Sequence, residues 1–379
     1  MLQRCAEVTS PGLLAAFLIA TTASPAFVAI HDEAMRHAYV WEEPSIPIEE
    51  AKLDQNPGGP GAFATDEVVE CTFKPGPAAG STPKFECELT TGDIVKVKYG
   101  RRNPEVYSEV AATRLLAALG FPTDRMYVVQ RVRCFGCPAD PFPQIECATN
   151  LPDDGTLADC FPSLDFSLAQ EFDEAVIERP LKGRRIEEKR HRGWSWEELK
   201  FVDAVQGGAT RAELDALRLL AVFLGHWDNK ADNQRLLCPG AKKTDEPCER
   251  PLAMIQDLGA TFGPMKLDLA RWSQEKIWAD AASCRVSMHD LPYGGSTFPD
   301  TFISEDGRQF LGSRLRKLST AQVRALFDGA RIAHYPHRRA SFADPDSWVR
   351  AFQVKVRAIV DRAPCPADPT PTITQRRAR

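Results

Sequence analysis

The sequence predicts an α+β fold in which a small unit of strands with one helix precedes a mainly helical region. Two patterns carry this prediction. Between residues 67 and 132, short strand-like segments follow one another, separated by turns and by one helical segment. From residue 167 onward, apolar residues recur at helical spacing in longer segments. The 379 residues suffice for one large core or for two lobes.

The N-terminal unit is predicted to contain four strands and one helix. Its third strand alternates so that Lys96 and Lys98 lie on the same face. Asn103 suits the N-cap of the helix, and Gly120 suits its C-terminal cap. The predicted strands are residues 68–73, 85–89, 94–99 and 126–132, and the predicted helix is residues 104–119.

The second region is predicted to be mainly helical, with one short hairpin. The tetrapeptide T-R-A-E is a capping box, in which Thr210 caps an apolar helix and Glu213 reaches back to it. We expect this helix to end at Gly225. Further helices are predicted at residues 194–202, 319–333 and 345–361, and hairpin strands at residues 234–237 and 252–255.

The N-terminal segment predicts export. Arg4, an apolar run at residues 13–20 and the small residues that follow are typical of a secretory signal peptide. No later segment is long enough to span a bilayer, so we expect a secreted or periplasmic protein without a transmembrane segment. The predicted organisation is a signal peptide at 1–26, an extended lead-in at 27–65, a strand-based lobe with a Cys- and Pro-rich insert at 66–165, a helical lobe at 166–363 and a disordered tail at 364–379.

Cysteine content and charge narrow the class of protein. The chain has 11 cysteines, and removal of Cys5 with the signal peptide would leave an even number. Because the spacing of residues 134, 137, 147 and 160 is irregular and includes no histidine, disulfides are favoured over a zinc site. The net charge of −5 gives no indication of a nucleic-acid partner.

The segment with the strongest chemical pattern is G-H-W-D-N-K-A-D-N at residues 225–233, followed by I-Q-D-L-G at residues 255–259. Asp228 and Asn233 have the D-x-x-x-x-N spacing of a phosphotransferase catalytic loop, and Asp257 follows a predicted hairpin. A carboxylate at Asp228 would orient an acceptor and receive its proton. Oxygens of Asn233 and Asp257 would bind a divalent metal ion.

The N-terminal unit contains the cation that this chemistry requires. Lys98 on the third strand is predicted to pair with Glu109 on the following helix, as phosphate-binding lysines do. Lys96 shares the strand face and is the alternative lysine, while Glu105 is the alternative partner. The loop between the first two strands has Gly76 and Gly80 among prolines and no G-x-G-x-x-G pattern.

Together these motifs resemble the atypical kinase superfamily, which includes phosphatidylinositol kinases, HipA-like kinases and secretory-pathway kinases. The resemblance covers roughly residues 67–335, although Asn229-Lys230 replaces the Arg-His usual in the lipid and HipA-like kinases. It implies a two-lobed protein-kinase-like fold, with a small antiparallel-sheet N-lobe and a mainly helical C-lobe. The site residues that it implies are Lys98, Glu109, Asp228, Asn233 and Asp257.

The function implied is transfer of a phosphoryl group from ATP, with Mg²⁺ or Mn²⁺, to an acceptor that is a protein or a small molecule. Two alternatives use the same residues. The chain could be a catalytically inactive kinase-like scaffold, or a nucleotidyltransferase that binds the nucleotide in the opposite direction. Because ATP is scarce outside the cytoplasm, the predicted export is in tension with catalysis.

Overall fold

The computed structural model describes residues 24–189, 191–241, 248–292 and 294–367. A strand-based lobe and a helical lobe confirm the predicted two-lobed α+β fold. The strands are β1 (Val68–Lys74), β2 (Lys84–Leu89), β3 (Ile94–Lys98), β4 (Arg125–Val128), β5 (Arg131–Phe135), β6 (Ala169–Phe172), β7 (Val176–Arg179), β8 (Gly183–Arg185), β9 (Gln234–Pro239), β10 (Leu252–Ile255), β11 (Arg285–Val286) and β12 (Thr301–Phe302). The helices are α1 (Pro25–Arg36), α2 (Glu105–Ala118), α3 (Phe142–Thr149), α4 (Leu157–Cys160), α5 (Arg211–Leu224), α6 (Leu269–Trp272), α7 (Glu305–Lys317), α8 (Thr320–Gly329) and α9 (Pro345–Val360).

Seven strands form one sheet in the order β4-β7-β3-β2-β1-β5-β6. Neighbours are antiparallel, as predicted, with the exception of β1 and β5, which run parallel. Only Val129 and Gln130 separate β4 from β5, although four strands lie between them in the sheet order. The three peptide units from Val128 to Arg131 span at most about 11 Å, whereas five spacings of about 4.8 Å would separate β4 from β5 in a flat sheet, so the sheet must curl until these strands approach each other.

The curled sheet encloses its own core. Apolar side chains from β1, β2, β3 and β5, together with Phe161 and Phe172, form a buried cluster inside the curl. The predicted single strand at residues 126–132 is two strands, because the chain crosses the opening of the curl at Val129. The sheet also extends past residue 165, where the N-terminal lobe was predicted to end, since β6 and β7 belong to it.

The segment before the sheet is more ordered than the predicted extended lead-in. Helix α1 begins at an N-cap formed by Ser24, with Pro25 in the first position, and it buries His31, Ala34 and Met35. The prediction was wrong here because the Pro- and Gly-rich residues after Trp41 obscured an apolar helix face immediately before them. Residues 1–23, which contain most of the predicted signal peptide and Cys5, lie outside the described residues.

The helical lobe is organised around α5. The predicted capping box is present, because Thr210 N donates to Glu213 Oε2 at 2.7 Å while Glu213 N donates to the Thr210 hydroxyl. Gly225 ends α5 in the left-handed region with φ of +65°, as its position predicted. The buried face of α5 packs with α7, α8 and α9 into the largest of the apolar clusters.

Five disulfides pair ten cysteines, as the even number predicted. They join Cys71 to Cys87, Cys134 to Cys137, Cys147 to Cys160, Cys238 to Cys248, and Cys284 to Cys365. The last of these holds the beginning of the predicted disordered tail in place, and residues 368–379 lie outside the described part. Within the described ranges, no helix is both long and apolar enough to cross a membrane.

Candidate functional site

Strand β3 and helix α2 bring Lys98 and Glu109 together. The Lys98 ammonium contacts Glu109 Oε2, and the two side chains are 2% and 1% exposed. Helix α2 can start directly after β3 because Asn103 Oδ1 accepts the backbone N–H of Glu105 at 3.1 Å. The predicted pairing is therefore present as a contact, and the role assigned to it stays a prediction.

Carboxyl groups surround Lys98 on several sides. Glu105 Oε2 lies 3.4 Å and Glu178 Oε2 lies 3.6 Å from its Nζ. Burial opposes the charge on Lys98, but Glu109, these two glutamates and Asp257 together hold the pKa of Lys98 well above its usual value. Burial also raises the pKa of Glu109 to about 8, despite the contact with Lys98.

The two lysines on β3 have different partners. Lys96 Nζ donates to Glu178 Oε1 at 2.8 Å and is partly exposed, whereas Lys98 is enclosed by α2. Burial opposes ionisation of Glu178, but the two lysine cations outweigh it and lower its pKa to about 2. The sequence left the choice between Lys96 and Lys98 open, and this geometry favours Lys98 as the residue that faces the site.

Lys84 is a third cation in the cleft, which the sequence analysis missed. It lies opposite Lys98 in the β2–β3 register and is 4% exposed. Its ammonium lies under the loop between β1 and β2, where a Cβ on Gly80 would be 2.5 Å from Lys84 Nζ. Burial and the Lys98 cation both lower the pKa of Lys84. The turn at residues 90–93 sets the hairpin register, so counting back from it would have revealed this pairing.

Glu105 connects three parts of the chain at this site. Besides Lys98, it accepts a hydrogen bond from the Thr82 hydroxyl at 2.7 Å and pairs with Lys266 Nζ at 2.5 Å. Burial raises the pKa of Glu105, but Lys98 and Lys266 outweigh that effect and the pKa falls to about 2. The sequence named Glu105 only as a second partner for Lys98 and gave no signal for Lys266 or Thr82.

The loop after α5 holds Asp228 and Asn233 in one short turn. Asn233 Nδ2 donates to the backbone carbonyl of Asp228 at 2.6 Å, which leaves Asn233 Oδ1 as the oxygen available to a cation. Asp228 Oδ1 is buried without a hydrogen-bond partner among the described residues, and Lys230 Nζ lies 3.3 Å from it. The loop thus presents both oxygens that the sequence assigned to it.

Asn229 ties this loop to the helical lobe. Its side-chain oxygen accepts from the Ser296 hydroxyl at 2.7 Å and from the backbone N–H of Thr297 at 3.0 Å. Its Nδ2 donates to the carbonyl of His226 at 3.0 Å. The residue that replaces the Arg expected from the resemblance therefore has a structural function, because it fixes the loop that carries Asp228.

Asp257 reaches the same place from β10. Its backbone N–H donates to the Asn233 carbonyl at 3.2 Å, so the metal-ligand candidates are adjacent. Burial opposes the charge on Asp257, but Lys98 and Lys84 lower its pKa to about 2. Gly259 follows because no side chain fits there: a Cβ would lie 2.6 Å from Glu105 Cγ.

His226 lies beneath the loop, fully buried. Neither ring nitrogen has a hydrogen-bond partner within the described part of the chain. Burial lowers the pKa of His226 to about 4, against the opposing effect of Asp257 and Asp228. The histidine is therefore neutral in the folded protein at neutral pH and packs under both aspartates.

This buried histidine predicts acid sensitivity. Because the unfolded chain binds a proton near the ordinary pKa of 6.5 and the folded chain only near 4, stability falls as the pH drops through that window. Between about pH 7 and about pH 5, wild type should lose about 2 kcal/mol more unfolding free energy than His226→Phe, as measured by urea denaturation. The exposed-site control His289→Gln should follow wild type, and equal losses in all three proteins would contradict the assignment.

The donor set fits a divalent cation beside phosphate groups. Asn233 and Asp257 offer the amide and carboxylate oxygens that Mg²⁺ and Mn²⁺ prefer, and Lys98 and Lys84 supply cations on the side of the sheet. The cleft holds four acidic side chains close to its lysines, namely Glu105, Glu109, Glu178 and Asp257. Because the pKa of Asp257 is lowered to about 2, a bound cation would meet this carboxylate already ionised, whereas the raised pKa of Glu109 favours its neutral form.

No protein-family model and no curated protein sequence match the chain. Among solved structures, the chain is similar to the crystal structure of a Helicobacter pylori proinflammatory kinase, CtkA, with a TM-score of 0.42 and 10% sequence identity. The match covers 78% of this chain and 96% of that chain. At this level of similarity, the geometry of the chain itself has to support any functional conclusion.

Proposed function

We propose that this chain is a kinase-like phosphotransferase that uses ATP and Mg²⁺ and acts outside the cytoplasm. The observation that supports it best is the convergence of the buried Lys98–Glu109 contact with Asp257 and the Asp228–Asn233 loop. More than one hundred residues of sequence separate the Lys98–Glu109 pair from the segment that contains Asp228, Asn233 and Asp257. Their convergence is what phosphoryl transfer requires, because it needs phosphate-binding cations, metal ligands and a base in one cleft.

Each residue has a distinct role in this proposal. Lys98 binds the phosphates while Glu109 holds its side chain in place, and Lys84 adds a second cation beneath the β1–β2 loop. Asn233 and Asp257 would hold the metal ion, which neutralises charge on the phosphates when bound. Asp228 orients the acceptor hydroxyl and accepts its proton.

Lys84 offers a substitute for the glycine-rich motif that the β1–β2 loop lacks. Prolines in the β1–β2 loop remove backbone N–H donors that would otherwise cover the phosphates. An ammonium placed under Gly80 replaces those donors with a positive charge. For this reason we include Lys84 among the nucleotide-binding residues.

An oxidising compartment is the setting that the cysteines support. Five disulfides are stable outside the cytoplasm and rare within it. The acceptor that we propose is a hydroxyl group of a protein or small molecule. If the protein is instead an inactive scaffold, it would bind nucleotide without turning it over. Binding and turnover are therefore measured separately.

The first test is thermal unfolding of the purified, disulfide-intact protein with ATP, with Mg²⁺ and with both together. A ligand that binds only the folded state raises stability by about 2.7 kcal/mol at one hundred times its dissociation constant. We expect a rise in unfolding temperature that requires both ligands and is lost in Asp257→Asn. The exposed-site control Asp290→Asn should keep it, and the absence of any shift in wild type would refute the nucleotide site.

A further inference from the structure

A second cluster of ligand-type side chains lies outside the cleft described above. It consists of His31 on α1, His191 in the turn after β8, and Glu198 in the short 3-10 helix Trp196–Phe201. One ligand atom from each residue lies within 4.8 Å of the others. Helix α1 and a much later segment of the chain thus place two imidazoles and a carboxylate around one point.

The hydrogen bonding of His31 leaves one ring nitrogen ready to bind. His31 Nε2 lies 3.0 Å from the backbone carbonyl of Gly193. A carbonyl oxygen can only accept, so Nε2 carries the hydrogen and Nδ1 carries the lone pair. Nδ1 is buried without a hydrogen-bond partner among the residues that the structure describes. Metal-binding histidines show this same pattern, in which one nitrogen donates to a carbonyl and the other binds the ion.

The distance between His31 and Glu198 distinguishes a direct hydrogen bond between the two side chains from shared binding of a metal ion. His31 Nδ1 and Glu198 Oε1 are 3.5 Å apart, which is too long for a good N–H···O hydrogen bond. Two ligands on a tetrahedral zinc ion, with bonds of about 2.0–2.2 Å, lie about 3.4 Å apart. The other oxygen of Glu198 accepts the backbone N–H of Ser195 at 2.5 Å, so the carboxylate is already oriented.

His191 supplies the side of the cluster nearest to solvent. Its ring centroid lies 4.4 Å from that of His31 and the side chain is partly exposed. Two backbone hydrogen bonds of 2.9 Å with Glu188 hold its turn in place. A metal ion could therefore enter past His191 and bind a water molecule at its fourth coordination position.

We propose that His31, His191 and Glu198 form a zinc-binding site. The ligand types match zinc, which binds two histidines and one glutamate at a tetrahedral centre. The site would attach α1 to the helical lobe close to the proposed catalytic loop. Gly193, which orients His31, packs so tightly there that a Cβ would lie 2.1 Å from the Ala231 carbonyl oxygen. This proposal is independent of the phosphotransferase function.

The test uses the whole folded protein, stripped with EDTA, dialysed, and titrated calorimetrically with Zn²⁺. Bound zinc is also counted by mass spectrometry after gel filtration. We expect one zinc ion per chain, and at least about 100-fold weaker binding in His191→Gln and in Glu198→Gln, since loss of an outer-shell partner alone costs 10–100-fold. Both substitutions lie at partly exposed positions, which avoids disturbing the buried His31.

Two controls make the outcome specific. His289→Gln removes an exposed histidine and Asp257→Asn removes the proposed magnesium ligand, and both should bind zinc like wild type. A wild-type protein that retains no zinc after gel filtration would overturn the proposal. Equal zinc affinity in wild type, His191→Gln and Glu198→Gln would overturn it as well, because the ion would then be bound elsewhere.

Discussion

Asp228→Asn should slow transfer of the γ-phosphoryl group by roughly 10²–10⁴-fold, the usual contribution of a positioned base. The substitution keeps the shape of the side chain but removes its ability to accept a proton. The change weakens only the ion pair between Asp228 and Lys230, and this pair is partly exposed, so it contributes little to stability. The rise in unfolding temperature with ATP and Mg²⁺ should therefore persist in the variant.

The measurement is release of labelled phosphate or self-labelling from ATP with the label in the γ position. Label in the α position reports nucleotidyl transfer instead, so paired assays separate the two reactions. Asp232→Asn is the matched control, since Asp232 is an exposed aspartate in the same loop. Equal rates for Asp228→Asn and wild type would show that Asp228 is not the base. Binding without either reaction in wild type would favour the scaffold alternative.

Lys98→Met should lower the unfolding free energy by about 3–5 kcal/mol, the typical cost of removing one partner from a buried ion pair. The loss is large because Glu105, Glu109 and Glu178 would then face one another without the central cation. Urea denaturation of the disulfide-intact protein measures it. The stabilisation by ATP and Mg²⁺ should disappear in the same variant.

Two further variants test the cause of that loss. Lys96→Met should cost less, because Lys96 is 28% exposed and water can solvate part of the change. The double variant Lys98→Met with Glu109→Leu should regain part of the stability, because an apolar pair replaces a buried charge left alone. It should still fail to bind nucleotide. If the double variant is no more stable than the single one, unpaired charge is not the source of the loss.

Much of the local structure could be predicted from the sequence. The capping box at Thr210, the end of α5 at Gly225 and the alternation of β3 depend on residues close together in the chain, so their patterns are readable directly. The even number of cysteines that follow the leader-like N-terminus likewise indicated disulfides. Their pairing was not predictable, because connectivity depends on which strands become neighbours.

Other features depended on contacts between distant residues. The curled sheet with its parallel β1–β5 pair arises because the chain crosses from β4 to β5 in two residues, and no local pattern specifies that path. Helix α1 was not predicted, because the proline-rich stretch that follows it suggested an extended segment. Glu178 and Lys266 reach the candidate site from segments on either side of the proposed catalytic loop, and nothing adjacent to them in sequence marks them.

The candidate site shows the same division. Residue type and spacing alone singled out Asp228, Asn233 and Asp257 as candidates, because the loop and the hairpin that carry them are formed by residues close together in the chain. The electrostatics of the cleft followed only from packing, since a pKa depends on burial and on charges within a few ångströms. Lys84 and Glu105 acquired their positions in the cleft when β2, β3 and α2 came together. The proposed zinc site likewise could not be predicted from the sequence, because more than 150 residues separate His31 from His191 and Glu198.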